Sequence, residues 1–392
     1  MPKDGLFLEV DFAQEMKSGE NICGDCFLSR KTPGSQRTIS VLSDGLGSGV
    51  KANILSSMTA TMAQRFISSN MEIIHSAEVM MDALPVCQVR KISYATFTIV
   101  DCVPDGRTRI IEMDNPPFIL LRNGEVVHVK GNVTTSGKWK DRSITVSEFN
   151  TLPEDRIIIM SDGITQSGMG KWATPLGWRL EGAMEFALHR VRKDPGISAR
   201  ELSRAIMREA LAKEEHSKPG DDMTCAVLYF RNPRRLTLLT GPPFKKEDDS
   251  QYARILQEAV GWKIICGGTT AKIIGRELGR TIRTDLDTAR AGLPPLSYME
   301  GVDLITEGIL TLTKTLGILE GKESAKSSGS ASRLVNMFLE SDMIDFVVGS
   351  RINEAHQDPT LPQEIEIRRN IVKNISAILE KKYLKTVTIR YI

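Results

Sequence analysis

Apolar and polar residues alternate with period two over much of the first 160 positions, and a helical period interrupts them after Gly49. "LFLEVDFAQEM" reads as a first strand. "CGDCFLSRKTPGSQRTISVLSDG" reads as a hairpin turning at Pro33-Gly34. From Val50 to about Ser68, Ile54, Leu55, Met58, Met62, Ala63 and Phe66 fall on one helical face, and a second helix covers Met71 to Leu84. Strands follow at "SYATFTIVDCV", "TRIIEMD", "FILLRNGEVVHV" and "SITVSEF", joined by turns at Asp105-Gly106 and Asn123-Gly124. "DRIIIMSDG" is a further strand, helices lie near 181–192 and 197–214, and "MTCAVLYF" closes the segment as a strand. Antiparallel strands with helices grouped in pairs predict an α+β layered sandwich.

The pattern changes after "RNPRR". Short apolar strands at "RLTLLTG", "KIICGG", "VDLITEG", "IDFVVGS" and "KTVTIRYI" alternate with helices that include "DSQYARILQEAV", "TTAKIIGRELG" and "EIRRNIVKNISAILEKK". This alternation predicts a mostly parallel α/β domain. The expected domains are 1–232 and 233–392, and "EGKESAKSSGSASR" is expected to be a surface loop or disordered connector.

Composition narrows the class. A chain of 392 residues with 41% apolar and 26% charged content suits a two-domain globular protein. A net charge of +2 gives no reason to expect nucleic acid or an anionic membrane as partner. Neither a signal peptide nor a membrane span is expected from the apolar runs. The six cysteines are scattered, which fits a reduced, cytoplasmic setting. Cys23 and Cys26 form a lone C-x-x-C with no second pair at metal-site spacing, so local packing is the expectation there.

Carboxylates recur at tight corners: Asp25 in "CGDC", Asp44 in "SDGLGSG", Asp162 in "SDGITQSG", and Asp221 with Asp222 in "PGDDMT". A glycine beside such an acid leaves room for an ion, and carboxylates from separate strands can surround a pair of magnesium or manganese ions. Each D-G taken alone is equally an ordinary turn. Spacing leaves the two readings open.

The segments "SGENICGDCF", "VLSDGLGSGVKA", "DNPPFILLRNGEV", "RIIIMSDGITQS" and "KPGDDMTCAVL" together resemble the bacterial PPM (protein phosphatase 2C-like) serine phosphatases of the stage II sporulation protein E group, over residues 5–230. The resemblance implies an α-β-β-α sandwich with two manganese or magnesium ions at one end of the sheets. It implies that Asp44 bridges them, that Asp162 and Asp221 complete the first ion, and that Asp25 and the Gly45 carbonyl face the second. Asp222 is expected to point away from the ions, either supporting their ligands or serving structure alone. The implied reaction is hydrolysis of phosphoserine or phosphothreonine by a water that the ions activate, with Asp44, Asp162 and Asp221 carrying the catalysis. A phosphorylated protein is the implied substrate, with STAS-type anti-anti-sigma proteins as the first candidates.

Two features depart from the eukaryotic branch. Leu46 stands where that branch has histidine, and its phosphate-gripping arginine has no evident counterpart beyond Arg30. The segment "ITQSGMGKWATPLG" resembles a flap over the site, and the positive end of the helix starting near Gly49 is expected to favour anions.

In the second domain, "KIICGGTTAKIIGRELG" places a double glycine and Thr269-Thr270 at a helix start, which reads either as a tight turn capped by threonine or as free N–H groups that suit an anion. "DLITEG" repeats the geometry at Glu307, and a strand-end cleft between these turns is the expected ligand position. A regulatory domain is therefore expected, either a small-molecule sensor or a protein-docking module, and a homodimer is among the assemblies open to the chain. Two alternatives to the protein phosphatase remain: a non-catalytic phosphoprotein-binding scaffold, or a small-molecule phosphatase on the same fold.

Overall fold

A computed structural model describes residues 6–32, 37–83, 95–135, 143–172, 174–285, 296–323, 329–350 and 361–392. The Pro33-Gly34 turn, Leu84 and most of "GSRINEAHQD" lie outside these residues. The chain divides into two compact units, Met1–Asn232 and Pro233–Ile392.

The first unit runs β1 (Phe7–Glu15), β2 (Asp25–Lys31), β3 (Thr38–Gly45), α1 (Gly49–Ser68), α2 (Ile73–Ala83), β4 (Ala95–Cys102), β5 (Arg107–Met113) and β6 (Ile119–Arg122). It continues with β7 (Glu125–Val127), β8 (Asn132–Thr135), β9 (Ser143–Asn150), β10 (Arg156–Met160), α3 (Asp162–Thr165), α4 (Arg179–Lys193), α5 (Ala199–Lys213) and β11 (Met223–Arg231). The strands form two antiparallel sheets, ordered β1-β11-β10-β6-β7 and β2-β3-β4-β5-β9-β8.

Strand periodicity builds the layers. Leu42, Val100, Ile110, Ile157, Ile159, Ala226 and Leu228 meet in one core, drawn from both sheets. Their alternates Ile39, Val41, Ile99 and Ile111 pack under α1 and α2, while Ile158, Met160, Cys225 and Val227 pack under α4 and α5. Because helices cover the outer faces, β10 is apolar from Ile157 to Met160 and wholly buried rather than half-polar. The result is the expected helix–sheet–sheet–helix sandwich.

The buried face of α1 differs from expectation. Ala52, Leu55, Ser56, Thr59, Ala60, Ala63 and Ile67 face the sheet, whereas Ile54 and Met58 are exposed. Small residues win this face because the helix lies against the backbone of β3. A side chain at Gly45 would overlap the Ala52 carbonyl.

The second unit contains β12 (Arg235–Thr240), α6 (Asp249–Glu258), β13 (Trp262–Cys266), α7 (Gly268–Leu278), β14 (Arg283–Asp285), β15 (Leu296–Met299), β16 (Val302–Thr306) and α8 (Ile309–Leu319). It ends with α9 (Ser330–Glu340), β17 (Met343–Val348), α10 (Leu361–Tyr383) and β18 (Thr386–Tyr391). Its sheet is ordered β14-β15-β16-β13-β12-β17-β18. The five strands from β16 to β18 are parallel, and β14 and β15 add antiparallel edges. Helices α6 and α7 pack on one face, and α8, α9 and α10 on the other. Part of the polar run after Leu319 proves helical: Ser330–Arg333 form the first turn of α9, whose Leu334, Val335 and Phe338 then anchor it in the core. Among the described residues no helix is long and apolar enough to cross a membrane.

Candidate active site

Four chain segments bring the acids to one end of the two sheets. Asp25 opens β2 directly opposite Asp44, the penultimate residue of β3. Asp162 begins α3 just beyond β10, and Asp221 and Asp222 precede β11, the neighbour of β10.

The glycines beside these acids serve protein packing. A side chain at Gly163 would overlap the Asp222 carbonyl, and one at Gly24 would come within 2.6 Å of Asp222 Oδ2. Spacing in the sequence leaves that room open between an ion and an ordinary turn. In the fold it lets the acid-bearing corners approach each other.

Asp25 is buried, and the Thr224 hydroxyl donates to its Oδ2 at 2.7 Å. Its Oδ1 has no hydrogen-bond partner among the described residues. Thr224 is fixed in turn, its amide donating to Ser161 Oγ at 2.9 Å. Gln14 Nε2 donates to the Asp25 carbonyl at 3.2 Å and to Thr224 Oγ1 at 3.0 Å. Asp162 Oδ2 accepts from Gln166 Nε2 at 2.8 Å. Asp222 is the buried member of its pair, and its Oδ1 accepts from the Lys17 amide at 3.0 Å. Asp221 is partly exposed, with the Lys17 ammonium 3.6 Å away.

Burial, then the charges of Asp25, Asp162 and Asp221, push the Asp44 carboxyl from 3.8 up to about 9. Burial likewise raises Asp25 to about 6, against the hydrogen bonds from Thr224 and Ser161. Asp162 is raised by burial and by Asp221. Three acids held above their ordinary range beside one lysine form a site short of positive charge.

Among the described residues, no three His, Cys, Asp or Glu side chains are arranged as a ready metal cluster. The donor set nonetheless suits a hard divalent cation: the groups are carboxylate oxygens, one buried oxygen of Asp25 is unsatisfied, and the charges of Asp25, Asp162 and Asp221 all act on Asp44.

Other expected features fall as follows. Arg30 is exposed on β2, five residues from Asp25 and so about 16 Å along the strand. It does not join the acids. The start of α1 already has an anion, because the Glu20 carboxylate lies over Gly49 and accepts from Ser48 Oγ at 2.9 Å. Burial raises both the Cys23 and Cys26 thiols, which keeps them protonated rather than nucleophilic. The segment after Asp162 is a closed set of turns: Gly168 N donates to Glu214 Oε1 at 3.0 Å and Thr174 Oγ1 to the Gly168 carbonyl at 2.7 Å. Trp172 projects from it, 99% exposed.

Thr224, Ser161 and Asn115 stand inside the sequence motifs, which by themselves predict no role for them. Asn115 Oδ1 accepts from the Thr96 hydroxyl, and Thr96 stands opposite Asp44 on β4. Lys17 and Gln14 lie just before the first quoted motif and had no signal of their own.

The sequence model of the stage II sporulation protein E (SpoIIE) family matches residues 34–231 of the 392. The stage II sporulation protein E of Bacillus subtilis (strain 168) is 22% identical over 224 residues, covering 55% of this chain and 25% of that protein. The chain thus spans a quarter of that relative's length. Among solved structures, the phosphatase domain of SpoIIE from Bacillus subtilis is 18% identical, with 58% of this chain and 94% of that one covered and a TM-score of 0.43. The RsbU and RsbW domains of a Mycobacterium tuberculosis protein are 18% identical, with 65% and 69% covered and a TM-score of 0.48. With the family model spanning half of its length and the sandwich beneath it, the chain belongs to the stage II sporulation protein E family and carries a PPM (protein phosphatase 2C-like) phosphatase domain.

Proposed function

We propose that the first unit is a metal-dependent protein serine/threonine phosphatase. The observation that carries this reading is the placing of Asp44 among Asp25, Asp162 and Asp221, whose charges all act on its carboxyl. Asp44, Asp162 and Asp221 would hold one manganese or magnesium ion, and Asp44, Asp25 and the Gly45 carbonyl a second. When bound, such ions lower the pKa of water and neutralise phosphate oxygens.

The chain's own groups prepare the site. Thr224 and Ser161 favour the ionised form of Asp25, the form a cation needs. Gln166 fixes the direction of Asp162. The Lys17 amide holds Asp222, which keeps the corner bearing Asp221 in place. Close packing at Gly45 and Gly163 sets the spacing of the strand ends.

The proposed substrate is a phosphoserine or phosphothreonine protein, with a phosphorylated STAS-type anti-anti-sigma protein as the first candidate. The second unit is proposed as a regulatory or ligand-binding domain. A substrate panel tests the choice of substrate: a phosphoserine STAS protein, a phosphopeptide, a nucleotide and a simple aryl phosphate, each with manganese. Preference for the phosphoprotein supports the proposal. Preference for the nucleotide would make the unit a small-molecule phosphatase, and binding of phosphoprotein without turnover would make it a scaffold.

A further inference from the structure

The strand-end turns of β13 and β16 meet in the fold. These strands are parallel neighbours, with Cys266 opposite Thr306. The Gly267 amide donates to the Thr306 carbonyl at 2.8 Å. A side chain at Gly308 would come within 3.3 Å of Gly267 Cα, so the two turns touch through their backbones. From this contact α7 leaves toward one face of the sheet and α8 toward the other.

Both helices have 11 residues, both begin after a glycine, Gly267 for α7 and Gly308 for α8, and neither start carries a side-chain cap. Two positive helix ends therefore converge at one strand end, where an anion is stabilised by both. Thr270, in the first turn of α7, is only 1% exposed, and its hydroxyl has no hydrogen-bond partner among the described residues. That hydroxyl lies 3.3 Å from the position a Gly267 side chain would take, so it is aimed at the helix start. Gly268, the first residue of α7, faces open space, because a Cβ there would meet nothing within 4 Å.

Glu307 lies between the two starts and is exposed, and it makes no hydrogen bond or ion pair among the described residues. The chain's own carboxylate therefore does not cap either helix. By contrast, α6, which follows β12, is preceded by Asp248 and begins with Asp249, so acids of the chain already stand at its start.

We propose that the β13–β16 strand end, formed by Gly267, Gly268, Thr270, Glu307 and Gly308, binds the phosphate group of a small phosphorylated metabolite. The phosphate would sit over Gly268 between the two helix starts and accept from the Thr270 hydroxyl. Glu307 would accept from a hydroxyl of the same ligand, which favours a phosphorylated sugar or a nucleotide over free phosphate. This inference does not depend on the phosphatase reading of the first unit.

The test uses the full chain in EDTA, so that binding at the metal-dependent acids does not contribute. Calorimetric titration with ribose 5-phosphate, ADP and inorganic phosphate separates the sources of the phosphate. Binding of either organic probe is expected in the wild type. It should weaken by about tenfold or more in Gly268→Asp, which places a competing carboxylate in open space. It should weaken less in Thr270→Val and persist in Gly268→Ala, with circular dichroism showing each variant folded. Failure of all three probes at low millimolar concentration, or unchanged binding in folded Gly268→Asp, would overturn the proposal. Binding of inorganic phosphate alone would overturn the hydroxyl contact at Glu307.

Discussion

Asp25 and Asp44 stand directly opposite each other across the antiparallel β2–β3 pair, so two carboxylates share one face at the end of the sheet. Such neighbours lie about 5 Å apart at Cβ, a distance at which like charges repel. The metal-free chain relieves this by holding protons. The Asp44 carboxyl rises to about 9 and that of Asp25 to about 6, each first through burial.

Stability of the metal-free protein should therefore fall as pH rises. Unfolded Asp44 loses its proton near 3.8, while the folded group keeps it until about 9. Between those values the unfolded state binds fewer protons, so folding weakens with each increment of pH. Asp25 adds to the slope in the lower part, up to about 6. Urea unfolding in EDTA should give a lower midpoint at about pH 8 than at about pH 5, and Asp44→Asn should flatten the difference. An equal or steeper slope in Asp44→Asn contradicts this assignment.

Manganese should reverse the trend, because a cation binds the ionised carboxylates that protons otherwise occupy. Its affinity should increase as pH rises toward 9, with protons released on binding. At a hundredfold excess over its dissociation constant it should stabilise the first unit by about 2.7 kcal/mol. Calorimetry in buffers of different ionisation enthalpy measures both effects. An affinity independent of pH would remove Asp44 and Asp25 from the ligand set.

Gly45→Ala should damage the fold and the site together. The added methyl would overlap the Ala52 carbonyl, so β3 and α1 must separate just beside Asp44. Overpacking of this kind costs about 1–3 kcal/mol. Manganese-dependent activity should fall further than stability alone explains, which kinetics under fully folded conditions can show.

Thr224→Val removes the hydroxyl that donates to Asp25 Oδ2 while keeping the side chain's shape. Both residues are buried, so the lost hydrogen bond should cost about 1–3 kcal/mol at a pH where Asp25 is ionised. The Asp25 carboxyl should rise further, and manganese should bind more weakly at neutral pH than to the wild type. Restoration by Thr224→Ser would identify the hydroxyl as the cause.

The sandwich was legible because strands such as "TISVLSDG" and "SITVSEF" alternate in sequence and the turns carry Gly, Pro, Asn and Asp. The site corners were legible because each pairs an aspartate with a glycine at a strand end. The reason for those glycines was not legible, since the close approach of Ala52 and Asp222 arises between segments distant in sequence. The buried face of α1 was misread for a related reason. Ile54 and Met58 are the more apolar choices, but the small residues Ala52, Ser56, Thr59, Ala60 and Ala63 let the helix come near to β3. Lys17 and Gln14 escaped notice because β1 and β11 are joined only by pairing across the whole unit. In the second unit, α8 was missed because "ILTLTKTLGIL" is rich in Thr and buried apolar residues, with few charges to mark an exposed face.

The most direct test of the central claim is release of phosphate from a phosphoserine STAS protein, measured with and without manganese in wild type and in Asp44→Asn. Release should require manganese and collapse in folded Asp44→Asn. Manganese-dependent release that survives unchanged in Asp44→Asn would contradict it, as would a folded, manganese-loaded wild type that releases no phosphate from any phosphoprotein.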